Sequence, residues 1–523
     1  DQFAYGIRKH PLSIRNFVRF AAANFTEKPK HAFIIGKGVT YNKRGTPITP
    51  VANARTFSAP TTSDIQLNMV PTFGRPASDM LLFTPNSYTY SPLVAHGRLS
   101  AVHQDEIAAY LKKVKEYEAL EKTDSIAWKK EALHLIGGTD VSIRTLLYNY
   151  MDSYKSLWEG SLVAGNVETF VRESDPNTVE KTKMLQDKIG QGVGLLTYFG
   201  HSAATSLDFE INNPQDLDNS NGRYPFFLLN GCSASTFFEN NINRKTTRLY
   251  TLSERFVLAN EKGSIGMMAS SSYGLTTYLH FFTNYWYSTI RSKDYYGKTI
   301  GEINAKTIDS LYNDYILSSP YVNQVMEQTI LHGDPAIKLH VSFQPDLEVK
   351  DTSIIITPNE DDLSFNTDSV KVSAIIINNG IPTSKPFRVV AIRTLPNGSK
   401  RIVHNSIINA INSKTTIDFS FQILNAGDVG LNTIRVVADT LDCSENTFNC
   451  IEETFENNNS GEIKFTIKNS ELIPYLPYNY SIVNQPMLPL NLRAIAASVS
   501  DSNVDYVLEL DTTMNFNSPL KYT

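Results

Sequence analysis

Over the first 340 or so residues, short and wholly apolar runs alternate with segments of helical period. The apolar runs are HAFIIGKGV (31–39), ALHLIGG (132–138), GLLTYFG (194–200), PFFLLN (225–230) and SIGMMA (264–269). Runs with no polar alternation mark strands covered on both faces, so an α/β sheet is predicted. The spacing of Ile14, Phe17, Val18 and Phe20 predicts a helix over 13–25, and that of Ile107, Leu111, Val114 and Tyr117 a second over 104–118. Further helices are expected over 179–189 and 249–261, and one that starts at Val141 with Asp140 as its N-cap. Residues 166–173 read as a strand, and 71–83 as a loop entering a short strand.

From Asp346 the texture changes to strict alternation with turn signals. SVKVSAIIINNG (369–380) ends in Asn-Gly, residues 387–393 run into Pro396-Asn397-Gly398, and Ile417, Phe419, Phe421 and then Ile434, Val436, Ala438 alternate. Helix signals are absent, which predicts a β-sandwich of immunoglobulin size. The expected organisation is a non-catalytic α/β subdomain over 1–125, a second α/β subdomain over 126–343, the sandwich over 344–468, and the start of a further β domain over 469–523.

Charge and composition narrow the function. A net charge of −5 without a basic stripe argues against a nucleic-acid partner. No run is long and apolar enough to span a bilayer, and no signal peptide opens the sequence, so the chain reads as a fragment of a longer protein. Three cysteines with neither a C-x-x-C pair nor a histidine cluster disfavour a zinc site. Cys443 and Cys450 enclose a short loop, where a disulfide beside one free thiol, Cys232, would fit an exported protein.

Reactive groups in open α/β sheets gather beyond the carboxyl ends of the strands. Two strands here deliver chemistry: one ends in Gly200-His201-Ser202, the other in Asn230-Gly231-Cys232-Ser233. A cysteine beside small residues at a strand end presents its sulfur on a rigid scaffold, and the preceding glycine permits a tight turn. A histidine at the matching end of a neighbouring strand can deprotonate it, and the imidazolium then stabilises the thiolate. The N–H groups of Ser202 and Cys232 are the expected oxyanion hole. A lone cysteine is more often a small buried hydrophobe and a lone histidine a structural one; the pairing at two strand ends is what favours catalysis.

The stretches YFGHSAATSLDF and YPFFLLNGCSASTFFE resemble the catalytic core of the gingipain family of caspase-like cysteine peptidases. IRNFVRFAA, VPTFGRPASDMLLF, GRLSA and KVKEYE resemble its first, non-catalytic subdomain, while KGSIGMMASSS and LHGDPAIKL resemble the end of the catalytic one, so the likeness covers roughly 1–340. Within the family the chain looks most like the PorU-like sortases of the type IX secretion system. These are surface peptidases that remove C-terminal sorting domains from exported cargo and can pass the acyl group to an amine of lipopolysaccharide. The resemblance implies a Cys232–His201 dyad, protein substrates with such sorting domains, other secretion components as partners, and a bacterial cell-surface, outer-membrane-associated or secreted location. No cofactor is required by that chemistry. Two positions depart from the family: Ser202 replaces the second glycine of Gly-His-Gly, and Ile136 stands before Gly137-Gly138, where gingipains carry the acid that orients the histidine. The resemblance therefore implies a dyad, with a catalytically silent scaffold as the alternative.

Ser271 and Tyr273, after the strand next to the dyad, are the expected substrate-binding residues. Asp79 reads as a turn or capping residue, with the active site or a calcium ion as alternatives, and Asp334-Pro335 as a tight turn; His96, His134 and His332 read as structural. ETFENNN, with Glu453, Glu456 and Asn457 to Asn459, resembles the closing motif of an adhesion-related immunoglobulin-like domain; such acidic loops can hold structural calcium, though a solvated loop is the simpler reading.

Overall fold

The structure, a computed structural model, describes residues 2–40, 66–439 and 451–468 apart from 8, 87–88, 121–125, 139, 161, 173–177, 210, 221, 316–318, 341, 361–362 and 425. Beyond 468 it describes 472–478, 481–482, 491–496, 509, 511–513, 515 and 517–519. Cys443 and Cys450, with their expected disulfide, lie outside the described residues. Two compact units emerge, one of residues 1–344 with 379–382, the other of 345–378 with 383–523.

The first unit is built on one eight-stranded sheet. Its strands are β1 (His31–Ile35), β2 (Ala95–Leu99), β3 (Glu131–Ile136), β4 (Asn166–Val171), β5 (Leu195–Phe199), β6 (Phe226–Asn230), β7 (Gly266–Ser270) and β8 (Thr329–Gly333), in the order β1-β2-β8-β7-β6-β5-β3-β4. All neighbours pair in parallel except β7 with β8, so β1, β2 and β8 run opposite to the other five strands. Residues on either side of 125 thus contribute to a single sheet.

Successive strand residues feed opposite faces, as the pleat requires. On one face Phe226, Leu228 and Met268 pack with Met151, Tyr154 and Trp158 of α3 (Val141–Glu159) and Trp286, Tyr287 and Ile290 of α6 (Thr276–Arg291). On the other, Phe227, Leu229 and Met267 pack with Tyr110 of α2 (Gln104–Ala119), Leu185 and Ile189 of α4 (Thr178–Gln191), and Leu252, Phe256 and Val257 of α5 (Leu252–Val257). Every residue of β5, β6 and β7 is buried, which is why these runs carry no polar alternation. Asp140 caps α3 by accepting from Ser142 N–H at 2.8 Å and Ile143 N–H at 3.3 Å, as expected.

Several local expectations are corrected. Residues 80–82 form a 3-10 turn rather than a strand, because Asp79 is held by a buried two-point ion pair with Arg98 (2.6 and 2.8 Å) and by Thr72 (2.8 Å). That pairing makes Asp79 structural. The helix expected over 249–261 is only six residues long and starts with a Thr251–Glu254 capping box. Helix α1 (Pro11–Asn24) buries Val18 and Ala21, while Phe17 and Phe20 face outward in a ring cluster with Phe3 and Phe25.

The buried face of α2 is only partly the expected one, with Tyr117 buried and Val114 packed on the core. Glu106, Tyr110, Lys113 and Tyr117 are buried, whereas Ile107 and Leu111 are exposed. Glu106 goes inward because Arg244 clasps it with two hydrogen bonds (2.8 and 2.9 Å), and Arg244 also reaches Glu254 at 2.9 Å. Lys113 goes inward because its ammonium donates to the carbonyls of Phe256, Val257, Lys262 and Ser264. Buried charges persist only with such partners.

The second unit is an antiparallel sandwich. One sheet orders β13-β10-β9 (Lys414–Gln422, Ser369–Asn378, Leu347–Thr357), the other β12-β11-β14-β15 (Lys400–Ile408, Phe387–Thr394, Gly430–Ala438, Ser460–Ile467). Val370, Val372, Ala374 and Ile376 face Val389, Ala391, Ile434, Val436 and Phe465 in its core. A two-stranded ribbon, β16 (Leu472–Leu476) with β17 (Arg493–Ala496), follows. In the acidic loop, Glu453 is buried rather than solvated: it accepts from Leu347 N–H and from Asn459 Nδ2 at 2.8 Å.

Candidate active site

Strands β5 and β6 are parallel neighbours in the register Phe199 to Asn230, so His201 and Cys232 leave the sheet side by side at the same edge. The two strand ends are tied together. Gly200 N–H donates to the Asn230 carbonyl at 3.1 Å, and the Ser202 hydroxyl donates to the Cys232 carbonyl at 2.7 Å. Ser202 was expected to matter through its N–H alone; its hydroxyl proves to bridge the histidine and cysteine turns. A Cβ at position 231 would run into Ser202 Oγ, so the glycine before the cysteine is required by this bridge.

Past Cys232 the chain turns at Ser233, whose φ of +58° lies in the left-handed region, a conformation that costs a serine of order 1 kcal/mol. The turn is held down on the end of β7: Ser233 N–H donates to the Ser272 carbonyl (2.8 Å), Ser235 N–H to that of Ser270 (2.9 Å), and Thr236 Oγ1 to those of Ser233 and Ser271 (2.7 and 3.2 Å). Cys232 is half-buried and unpaired, and Gly274 N–H points at its sulfur from 3.4 Å. Among the described residues neither the Ser202 nor the Cys232 N–H has an acceptor, which leaves both donors open at this edge. The His201 side chain is exposed and has no hydrogen-bond partner among the described residues.

The expected substrate-binding pair separates. Ser271 is buried, with its N–H donating to the Gln328 carbonyl at 2.8 Å and its hydroxyl to that of Ala77 at 2.9 Å. Tyr273 is 76% exposed and, with Gly274, Leu275, Tyr278, Tyr321 and Gln324, lines a shallow dent of about 10 Å³ that contains no acidic or basic side chain. The three histidines read as structural are buried: His96 stacks on Phe83, His134 meets the Tyr287 hydroxyl at 3.0 Å, and His332 accepts from Ser100 N–H at 3.2 Å. Burial pushes His134 and His332 down to about 3, so both are neutral at physiological pH. Asp334 caps its own turn by accepting from Ala336 N–H at 2.8 Å.

One charged residue at this edge had no place in the sequence reading. Asp208, seven residues after His201, folds back so that its carboxylate receives Gly138 N–H at 2.7 Å on Oδ2, with Arg172 Nη1 3.4 Å away. It occupies the side of the Gly137-Gly138 turn that Ile136 leaves without an acid. No local pattern announces it: its partners come from the turn after β3, the end of β4 and β5.

The profile of peptidase family C25 matches residues 1–340, nearly two thirds of the chain. Solved structures similar to it include the complex of pro- and mature domains of Porphyromonas gingivalis RgpB, at 13% identity and a TM-score of 0.47, covering 89% of this chain and 92% of that one. The Arg-specific cysteine proteinase gingipain R is also 13% identical, with a TM-score of 0.46, covering 87% and 88%. No curated protein matches the chain. Among the described residues no helix is long and apolar enough to cross a membrane.

Proposed function

The chain belongs to peptidase family C25 and is a cysteine peptidase of the gingipain type, and from that premise we propose that Cys232 is its nucleophile and His201 its general base and acid. The observation that carries this reading is the placement of both residues on adjacent parallel strand ends, joined by the Ser202–Cys232 hydrogen bond. In the proposed reaction His201 takes the thiol proton and the thiolate attacks the scissile carbonyl. The open N–H groups of Ser202 and Cys232 hold the oxyanion of the tetrahedral intermediate; as it collapses to the thioester the C–N bond breaks and the amine leaves with the proton from His201. The thioester is then resolved by water or by an amine. These steps need no cofactor.

The physiological reaction we propose is sortase-like: cleavage of exported proteins before a C-terminal sorting domain, at the bacterial surface, with a lipopolysaccharide amine as acceptor. Tyr273, exposed and with no charged side chain around it, would contact a neutral substrate side chain. The competing reading is a catalytically silent scaffold that binds cargo; the observation in its favour is the unpartnered His201 imidazole. An acyloxymethyl-ketone peptide decides between them. The peptidase reading expects stoichiometric labelling of Cys232 in the folded protein and release of the sorting domain from a cargo protein. A folded protein that is neither labelled nor cleaves would overturn it.

A further inference from the structure

Asp208 touches the catalytic edge at three points, and all of them bear on the backbone that carries His201. Its own N–H donates to the His201 carbonyl at 2.9 Å. Its Oδ1 lies against the Tyr198 hydroxyl, and that same hydroxyl lies against the His201 carbonyl. Its Oδ2 accepts from Gly138 N–H, with Arg172 alongside. The carboxylate fills the place beside Gly137 so completely that a Cβ there would collide with Oδ1, so this turn can only be glycine. Tyr198 is the last residue but one of β5, and Gly200 N–H is bonded to β6, so the chain enters His201 already fixed. Asp208 fixes the exit.

The His201 imidazole itself makes no hydrogen bond among the described residues. Its position relative to Cys232 is therefore set by its backbone, and Asp208 holds that backbone on the side away from β6. We infer that Asp208 is a positioning residue for His201: its carboxylate and N–H clamp the histidine's carbonyl to Tyr198 and to the Gly137-Gly138 turn, delivering the imidazole to the sulfur through the main chain rather than by a bond to the ring. This rests on the dyad reading above. Burial of Tyr198 itself, and then its hydrogen-bonded Asp208 neighbour, raise the phenol well above its ordinary range, so Tyr198 remains a donor at every working pH.

The test is the rate at which iodoacetamide alkylates Cys232 at about pH 6, where a histidine-supported thiolate reacts and an unsupported thiol hardly does. His201→Ala should slow it about 100-fold, and Asp208→Ala by a similar factor, because a displacement near 1 Å costs about that much. The discriminating measurement is the double variant: if Asp208 acts through His201, adding Asp208→Ala to His201→Ala changes the rate less than about two-fold. Additive losses, or a folded Asp208→Ala at the wild-type rate, would overturn the inference. If the alanine variant does not fold, Asp208→Asn takes its place. It keeps the size but turns an NH2 toward donors, so a loss of about five-fold that again vanishes in the His201→Ala background is expected, and wild-type behaviour overturns the inference. An unchanged rate in His201→Ala alone would instead sink the dyad reading.

Discussion

In the inner strands of the first unit, neighbouring residues go to opposite faces and both are buried; in β10 and β11 of the sandwich, only every other residue is. All five residues of β6 are buried, and Leu228 and Leu229 are 1% and 2% exposed on different faces. In β10 burial alternates, so that Ile376 is fully buried while Ile375 beside it is not. The difference follows from what covers the sheets: helices on both sides in one case, a single facing sheet in the other. It also decides where chemistry can sit. With both faces filled, the first unit has room for reactive groups only past its strand ends, where His201 and Cys232 emerge. The sandwich leaves its outer faces to solvent, and among its described residues no histidine and cysteine meet at neighbouring strand ends.

The sharpest separation between the units is expected from Cys232→Ala. Its sulfur makes only weak contacts with the Gly274 N–H and carbonyl, so the variant should keep the wild-type melting profile of both units while peptidase turnover falls by about 10⁴-fold or more. A large loss of stability would mean that Cys232 is a packing residue and that the strand edge is not free for chemistry.

Next in size is Arg244→Ala. Arg244 is 1% exposed and bridges Glu106 to Glu254, which also meets Lys37 at 3.4 Å and Ser100 at 3.1 Å. Removing it leaves buried Glu106 without its cation and Glu254 with Lys37 alone, which should cost about 3–5 kcal/mol. In denaturant the transition of the first unit should move and that of the sandwich stay in place. A shift of both transitions would show that the two units unfold as one.

The burial rule itself is tested by paired alanine substitutions. Leu228→Ala and Leu229→Ala should each cost about 2–5 kcal/mol in the first unit. In β10, Ile376→Ala should cost a similar amount, and Ile375→Ala about 1 kcal/mol or less. Equal costs at 375 and 376 would break the comparison, since they would require both faces of β10 to be covered.

The same rule explains what could be read from the sequence. Strands β5, β6 and β7 were legible as uninterrupted apolar runs closing on glycine or serine, and so was the reactive edge, because His201 and Cys232 follow two such runs. Strands β2 and β8 were not, since AHGRL and TILHG carry Arg98, His96 and His332 into a buried sheet. Those side chains are buried because partners arrive from far along the chain: Asp79 and the carbonyls of Gly36 and Val70 for Arg98, Ser100 for His332. Helix α2 misled for the same reason, with Glu106 and Lys113 inward and Ile107 outward. Asp208 was illegible because its partners lie on three elements. Local period reports apolar burial and is blind to a charge whose partner is remote.

The last expected effect concerns the sandwich, and it has a sign. Glu453 is 6% exposed; burial, followed by the carboxylates of Glu456, Asp439 and Asp346, raises its carboxyl from about 4.5 to about 8, against the pull of Leu347 N–H. Between those values the folded sandwich holds a proton that the unfolded chain has released. The group's contribution to stability is therefore complete below about pH 4.5 and lost as pH rises through about 8. Glu453→Gln removes the titration and keeps an oxygen for Leu347 N–H. Asn459, whose Oδ1 has no hydrogen-bond partner, can turn its amide over to accept from the new NH2. The variant should match wild type in acid and exceed it increasingly as pH rises, by up to about 1.4 kcal/mol for each unit by which the carboxyl is raised, read from denaturant midpoints of the sandwich transition alone. A gap that stays constant with pH would mean that Glu453 is ionised in the folded sandwich throughout. The loop's carboxylates would then be held by solvent or by a cation rather than by a proton, and the sandwich would have a charged site of its own to set beside the strand edge of the first unit.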